Sequence, residues 1–181
     1  QPPAVVTISA ASFEANALAP GAIVSAFGAA LASTIETSSN VPLPTSLAGT
    51  SVRVKDSAGV ERLASLFFVS PNQINFVIPP ATATGTAMLT VQSGAGTTSM
   101  GALDIKAVAP AIFTANADGT GAPAAVILRV KANGEQGFET VSQLDPVSGR
   151  LRPRPLDLSP AGDRVFLLLF FTGTLRASDP N

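Results

Sequence analysis

The stretch LFFVSPNQINFVIP, Leu66 to Pro79, places one strand, one turn and a second strand within fourteen residues. Ser70, Pro71 and Asn72 supply the turn, because proline pre-sets its φ and Ser and Asn side chains bond the nearby backbone. Beyond it Ile74, Phe76 and Ile78 alternate with Gln73, Asn75 and Val77 until Pro79, which has no N–H to give to a ladder, ends the run. A two-residue period puts one face in a core and leaves the other partly polar, as in the middle of a β-sandwich.

The same grammar extends outward. Short β-branched runs between Pro/Gly turns predict strands near 4–9, 22–27, 50–55, 64–69, 73–78, 86–92 and 102–108, with Val52, Val54, Ile74, Phe76, Ile78, Leu89 and Val91 inward. Helical signals are weak, since the Ala-rich piece Phe27 to Ser33 carries Gly28 and runs into a Ser/Thr/Pro-rich loop. After VAPAIFT (108–114) a second β-rich unit begins. Its clearest feature is a hairpin over 124–141 turning at Asn133-Gly134, followed by the extended RLRPRP (150–155) and by DRVFLLLFFTG (163–173). A weak internal repeat relates Pro20-Gly21 before AIVSAFGAAL to Pro160-Ala161-Gly162 before DRVFLLLFFTGTL.

Composition excludes several kinds of chemistry. The chain has 181 residues, 46% of them apolar, enough for a sizeable core. A net charge of −1 with 13% charged residues gives no field to attract nucleic acid or an anionic membrane. With no Cys, His, Trp or Tyr, zinc sites, thiol nucleophiles and imidazole catalysis are excluded within one chain. No cofactor and no enzymatic activity are expected. The longest apolar run, Val165 to Phe171, is far short of the about 20 residues a bilayer span needs and reads as a buried strand. The opening QPPAVVTIS lacks an initiator Met and a signal-like segment, so it reads as the start of a secreted chain after signal-peptide removal. Without disulfides such a chain is held by packing or by assembly.

The succession APGAIVSAFGAALA (19–32), LPTSLAGTSVRV (43–54), LFFVSPNQINFVIP (66–79), GTAMLTV (85–91), VAPAIFT (108–114) and FFTGTLR (170–176) resembles the Solibacter-type C-terminal domain of secreted acidobacterial proteins. Each half of that family is similar to the IPT/TIG immunoglobulin-like sandwich. The resemblance is close from about Ile8 to Thr114 and again over 159–176. It implies an extracellular, non-catalytic module with no catalytic residues to carry over. The sequence departs from the pattern in lacking a second NQINF-type motif. The resulting expectation is an all-β chain: an N-terminal strand (1–13), an immunoglobulin-like antiparallel sandwich (14–109) and a second, incomplete β-sandwich unit (110–181).

Four clusters invite a binding role. Asn116, Asp118 and Thr120 with Gly119 and Gly121 could offer oxygens to Ca²⁺, although one carboxylate fits an Asx/Gly turn better. Arg150, Arg152 and Arg154 alternate with Leu151, Pro153 and Pro155, as for an anion or for a solvated edge strand. Asp104 and Lys106 share a strand face and read as a surface pair. Sugar-binding sandwiches usually stack rings on Trp or Tyr, and here only Phe is available, with Phe13, Phe27, Phe67, Phe68, Phe76, Phe166, Phe170 and Phe171 in strand-like runs that read as core.

The preferred reading is a bacterial surface or filament subunit that assembles by β-strand addition. The uncharged segment Pro3 to Phe13 would donate, through Val5, Val6, Thr7 and Ile8, with Val6 and Ile8 entering the groove. Val165, Leu167, Leu169 and Phe171 would form the acceptor edge of the incomplete unit. Donor and acceptor surfaces then differ, so identical subunits would add head to tail into a homo-oligomer or filament. The alternatives are a passive immunoglobulin-like spacer or adhesion module, and a glycan-binding module.

Overall fold

A computed structural model describes residues 2–15 and 18–176, and these contain strands and turns but no helix. The chain divides into two compact units. One is built from the chain up to Ala111 and again from Thr172, the other from Ile112 to Phe171.

In the first unit one sheet has the order β1 (Val6–Ser9), β2 (Ile23–Phe27), β8 (Gln73–Val77), β7 (Ser65–Val69), β3 (Glu36–Thr37). The other runs β10 (Thr98–Ile105), β9 (Gly85–Gln92), β5 (Thr50–Lys55), β4 (Ser46–Leu47), with β6 (Glu61–Leu63) also on β5. All named pairings are antiparallel. One core cluster takes Val24, Ile74, Phe76 and Leu66 from the first sheet and Val52, Val54, Leu89 and Val91 from the second, the arrangement of an immunoglobulin-like β-sandwich. All seven positions expected inward are fully or almost fully buried. The β7–β8 turn forms as its residues suggest: Ser70 N–H donates to the Gln73 carbonyl at 2.8 Å, and Ser70 Oγ accepts from Gln73 N–H at 3.0 Å.

The N-terminal strand is not a free donor. β1 pairs with β2 of its own chain, matching Thr7 to Ala26 and Ser9 to Val24. Its approach, Pro3 to Val5, bonds the opposite sheet: Val5 N–H donates to the Met100 carbonyl at 2.8 Å and Met100 N–H to the Pro3 carbonyl at 3.0 Å. Directly paired residues share a face, and Ala26 and Val24 point into the core, so Thr7 and Ser9 do as well. Val5 and Thr7 are therefore buried, Ile8 is half-buried and Val6 is 60% exposed, the reverse of the expected inward set. The boundary expected at 13/14 dissolves, since the described part of that segment, 2–13, belongs with the sandwich.

The expected final unit is also shorter. Thr172 Oγ1 accepts from Ile23 N–H at 2.8 Å, the Gly173 carbonyl accepts from Ala109 N–H at 2.9 Å, and Arg176 donates to the Thr82 carbonyl at 3.2 Å. Gly173 has a φ of 78°, and a Cβ there would collide with the Ala109 carbonyl, so this return requires glycine. The outermost residues of the expected units, 1 and 177–181, lie outside the described residues.

A buried carboxylate locks one end of the sandwich. The Asp56 side chain is 1% exposed and accepts from the N–H groups of Ala58, Val60 and Ala83 at 3.1, 3.0 and 3.1 Å and from Arg62 at 2.6 Å. The Ala83 N–H, with help from Arg62 and Val60, holds its pKa down at about 2.

The second unit is a three-stranded antiparallel sheet, β13 (Gln136–Thr140), β12 (Ala125–Val130), β16 (Arg164–Leu169), with a separate ladder of β14 (Ser142–Leu144) and β15 (Leu151–Pro153). β11 (Ala111–Ile112) and β17 (Phe171–Thr172) pair where the chain crosses between units. The Asn133-Gly134 turn forms, with Gly134 at a φ of 87° and its N–H on the Lys131 carbonyl at 2.9 Å. The expectation of a buried strand over 165–171 fails. Among the described residues β16 has a neighbour on one side only, and Phe166 and Leu167 are each 47% exposed.

Candidate assembly interface

The polarity of the β16 edge follows from its ladder with β12. Phe170 N–H donates to the Ala124 carbonyl at 3.1 Å, and the register continues Leu168↔Val126, Phe166↔Leu128, Arg164↔Val130. Backbone groups in an antiparallel ladder alternate sides, so Phe166 and Leu168 spend theirs on β12. On the other side of β12, Lys131 N–H donates to the Glu135 carbonyl at 2.8 Å, which fixes the complementary alternation toward β13. Val165, Leu167 and Leu169 therefore aim N–H and C=O at the open edge.

Side chains of β16 are partly exposed on both faces. Val165, Leu167 and Leu169 share a face with Ala125, Ile127 and Arg129. On the other face Phe138, Leu128 and Phe166 stand directly opposite one another across three strands, and Phe138 is 73% exposed. Natural edges are usually blunted by charge, proline or a bulge, and residues 165–169 carry none of these. This is an apolar strand with an unsatisfied ladder on one side, the geometry that another strand completes.

Three of the four expected acceptor residues, Val165, Leu167 and Leu169, thus share the open edge. Phe171 does not, because it lies beyond β16 in β17, which pairs with β11. The expected donor residues Val5, Val6, Thr7 and Ile8 are engaged within their own sandwich.

An arginine that the sequence reading passed over holds the acceptor sheet in shape. Arg129, buried on β12, donates to the Glu139 carboxylate on β13, to the Asp157 and Ser159 carbonyls at 2.7 and 2.9 Å, and reaches Asp163 at 3.5 Å. Asp163 in turn accepts from Ala132 N–H at 3.2 Å. The Glu139 carboxylate pushes the Arg129 pKa up, and the guanidinium holds Glu139 down. The available signal was a lone charge inside the apolar run AAVILRV, a position that demands a partner.

The other candidate clusters resolve into structural bonds. Asp118 pairs with Arg150, which lowers its pKa, and it also accepts from Thr120 N–H at 3.0 Å. The Asn116 side chain accepts from Leu151 N–H at 2.9 Å and donates to the Leu151 carbonyl at 2.9 Å. The loop's oxygens thus have protein donors and form an Asx/Gly turn. Arg152 pairs with Asp145 at 2.6 Å, which divides the arginine triplet between separate carboxylates. Asp104 and Lys106 form the expected surface pair at 2.8 Å. Among the described residues no group of three or more His, Cys, Asp or Glu could hold a metal ion, and no helix is long and apolar enough to cross a membrane. Compared with known families and with curated proteins, the chain matches none.

Proposed function

We propose that this chain is a non-catalytic, extracellular structural module that joins a homo-oligomeric surface assembly by β-strand addition, with the open edge of β16 as the acceptor. The supporting observation is the unprotected edge, where Val165, Leu167 and Leu169 offer a free ladder inside an apolar strip. Leaving such a strip in water forfeits about 25 cal/mol for each Å² of apolar surface that a partner would cover. The extracellular placement rests on the resemblance to secreted acidobacterial proteins.

Sedimentation velocity across a concentration series tests this reading. The wild-type protein should grow in mass with concentration, and Leu167→Lys, which sets a charge on the edge, should stay at one chain. A wild type that remains a single chain at every concentration, or a variant that associates as the wild type does, contradicts it. A passive spacer is the second reading. It is favoured by the N-terminal strand, which is paired within its own sandwich and so leaves the first unit complete. The row Phe138, Leu128, Phe166, flanked by Gln136 and Thr140 on β13 and by Arg164 on β16, suits packing better than sugar, since the chain has no Trp or Tyr to serve as a stacking platform.

A further inference from the structure

We infer that the occupant of the β16 edge is β16 of a second copy, paired antiparallel about a two-fold axis through Leu167, so that assembly closes at a dimer instead of running into a filament. This rests on strand addition at β16 and specifies the partner.

Head-to-tail growth needs a donor strand different from the acceptor, and the described residues offer none. The N-terminal segment is consumed by β2 and β10 within the chain. The outer side of β10 is covered at one end by Pro3 to Val5 and near the other by Leu18, whose N–H donates to the Asp104 carbonyl at 3.3 Å. β3 and β4 have two residues each, β6 carries Glu61 and Arg62, β13 carries Glu139, and β15 contains Arg152 and Pro153. β1 presents four residues on its outer side, against six on β16. The longest apolar stretch of open edge without charge or proline is residues 165–169 of β16, so the strand best suited to complete it is another β16.

The register follows from the hydrogen bonds. The outward groups belong to Val165, Leu167 and Leu169, and the antiparallel match that uses all of them pairs Leu167 with Leu167 and Val165 with Leu169 of the second copy. Each such hydrogen-bonded pair exchanges two bonds, so the seam contains about six. Between them Phe166 meets Leu168 of the other copy as a non-hydrogen-bonded pair, with Cα atoms about 4.5 Å apart. Charge does not oppose the match. Arg164 faces Phe170 of the partner, and the two Arg164 residues lie about 20 Å apart at about 3.3 Å per residue, beyond a Debye length of about 8 Å at physiological salt. An isologous contact of this kind satisfies both edges at once and leaves none for a third copy.

The chain contains no cysteine, so engineered thiols report without background. Single-cysteine proteins F166C and L168C are prepared at full length, oxidised separately and as an equimolar mixture, and run without reductant. Both sites are exposed, and far-ultraviolet circular dichroism confirms that the sheet is retained. The two-fold register predicts disulfide dimers in the mixture and background levels for either protein alone, together with a plateau at twice the 18.2 kDa chain mass in sedimentation. Ready self-crosslinking of each protein alone indicates parallel in-register pairing and overturns the inference. Masses that keep rising past two chains, yet collapse with Leu167→Lys, preserve strand addition and refute the two-fold closure. A single chain at all concentrations refutes both.

Discussion

β8 and β16 are apolar strands in the two units of this molecule, and they meet opposite fates. β8 lies between β2 and β7, and Ile74 and Phe76 are fully buried against the facing sheet. β16 follows the same kind of Pro/Gly turn as β2, but among the described residues it has only β12 beside it, and Phe166, Leu167 and Leu168 are 40–47% exposed. Apolar sequence alone does not produce a core. A second neighbour and a facing layer do, and among the described residues β16 lacks the second neighbour.

The largest test of that contrast is a pair of truncations. Phe76→Ala should lower the stability of the sandwich by about 3–5 kcal/mol, the range for emptying a buried aromatic site. Phe166→Ala, measured by denaturant titration in dilute solution where the chain is monomeric, should lower stability by under about 1 kcal/mol, because about half of the side chain already meets water. Equal losses would mean that β16 is as enclosed as β8.

Arg129→Met sharpens the comparison from the other side. Removing the guanidinium strands Glu139 and Asp163 and frees the Asp157 and Ser159 carbonyls, so amides of β12 and β13 should lose exchange protection while those of β5 and β9 keep theirs. Loss of protection in both units together would show that they do not respond separately.

The sandwich should also carry a specific acid sensitivity. Asp56 has a folded pKa of about 2 against an ordinary 3.8, so its stabilisation is fully present above the ordinary value and is lost as pH falls from there toward 2. Thermal melts of the wild type should decline across that window, and Asp56→Asn should start lower and decline less. At the small end, Asp104→Asn breaks an exposed pair and should change stability by under about 0.5 kcal/mol.

Much of the first unit was legible because its strands have a single core face. The two-residue alternation of β5, β8 and β9 identifies inward positions directly, and the Ser70-Pro71-Asn72 and Asn133-Gly134 turns announce themselves. Partner identity is less legible. An uncharged N-terminal strand looks the same whether it joins its own sheet or a neighbour's, and only the register with Val24 and Ala26 shows that Thr7 turns inward. The run at 165–169 revealed an apolar strand but not its exposure, since periodicity is blind to what covers a strand. Arg129 and Asp56 were missed as anchors because their partners come from segments distant in sequence, Asp163 for one and Ala83 for the other.

Residue-resolved amide exchange along β16, recorded by NMR at a series of protein concentrations, tests the open edge most directly. In dilute solution the Phe166 and Leu168 amides, bonded to β12, should be protected and those of Val165, Leu167 and Leu169 should exchange freely. As concentration rises, protection should appear at Val165, Leu167 and Leu169 alone. If these three amides are protected at every concentration, the edge is already closed within the chain, and if they stay unprotected throughout, no second copy completes it; either result contradicts the account.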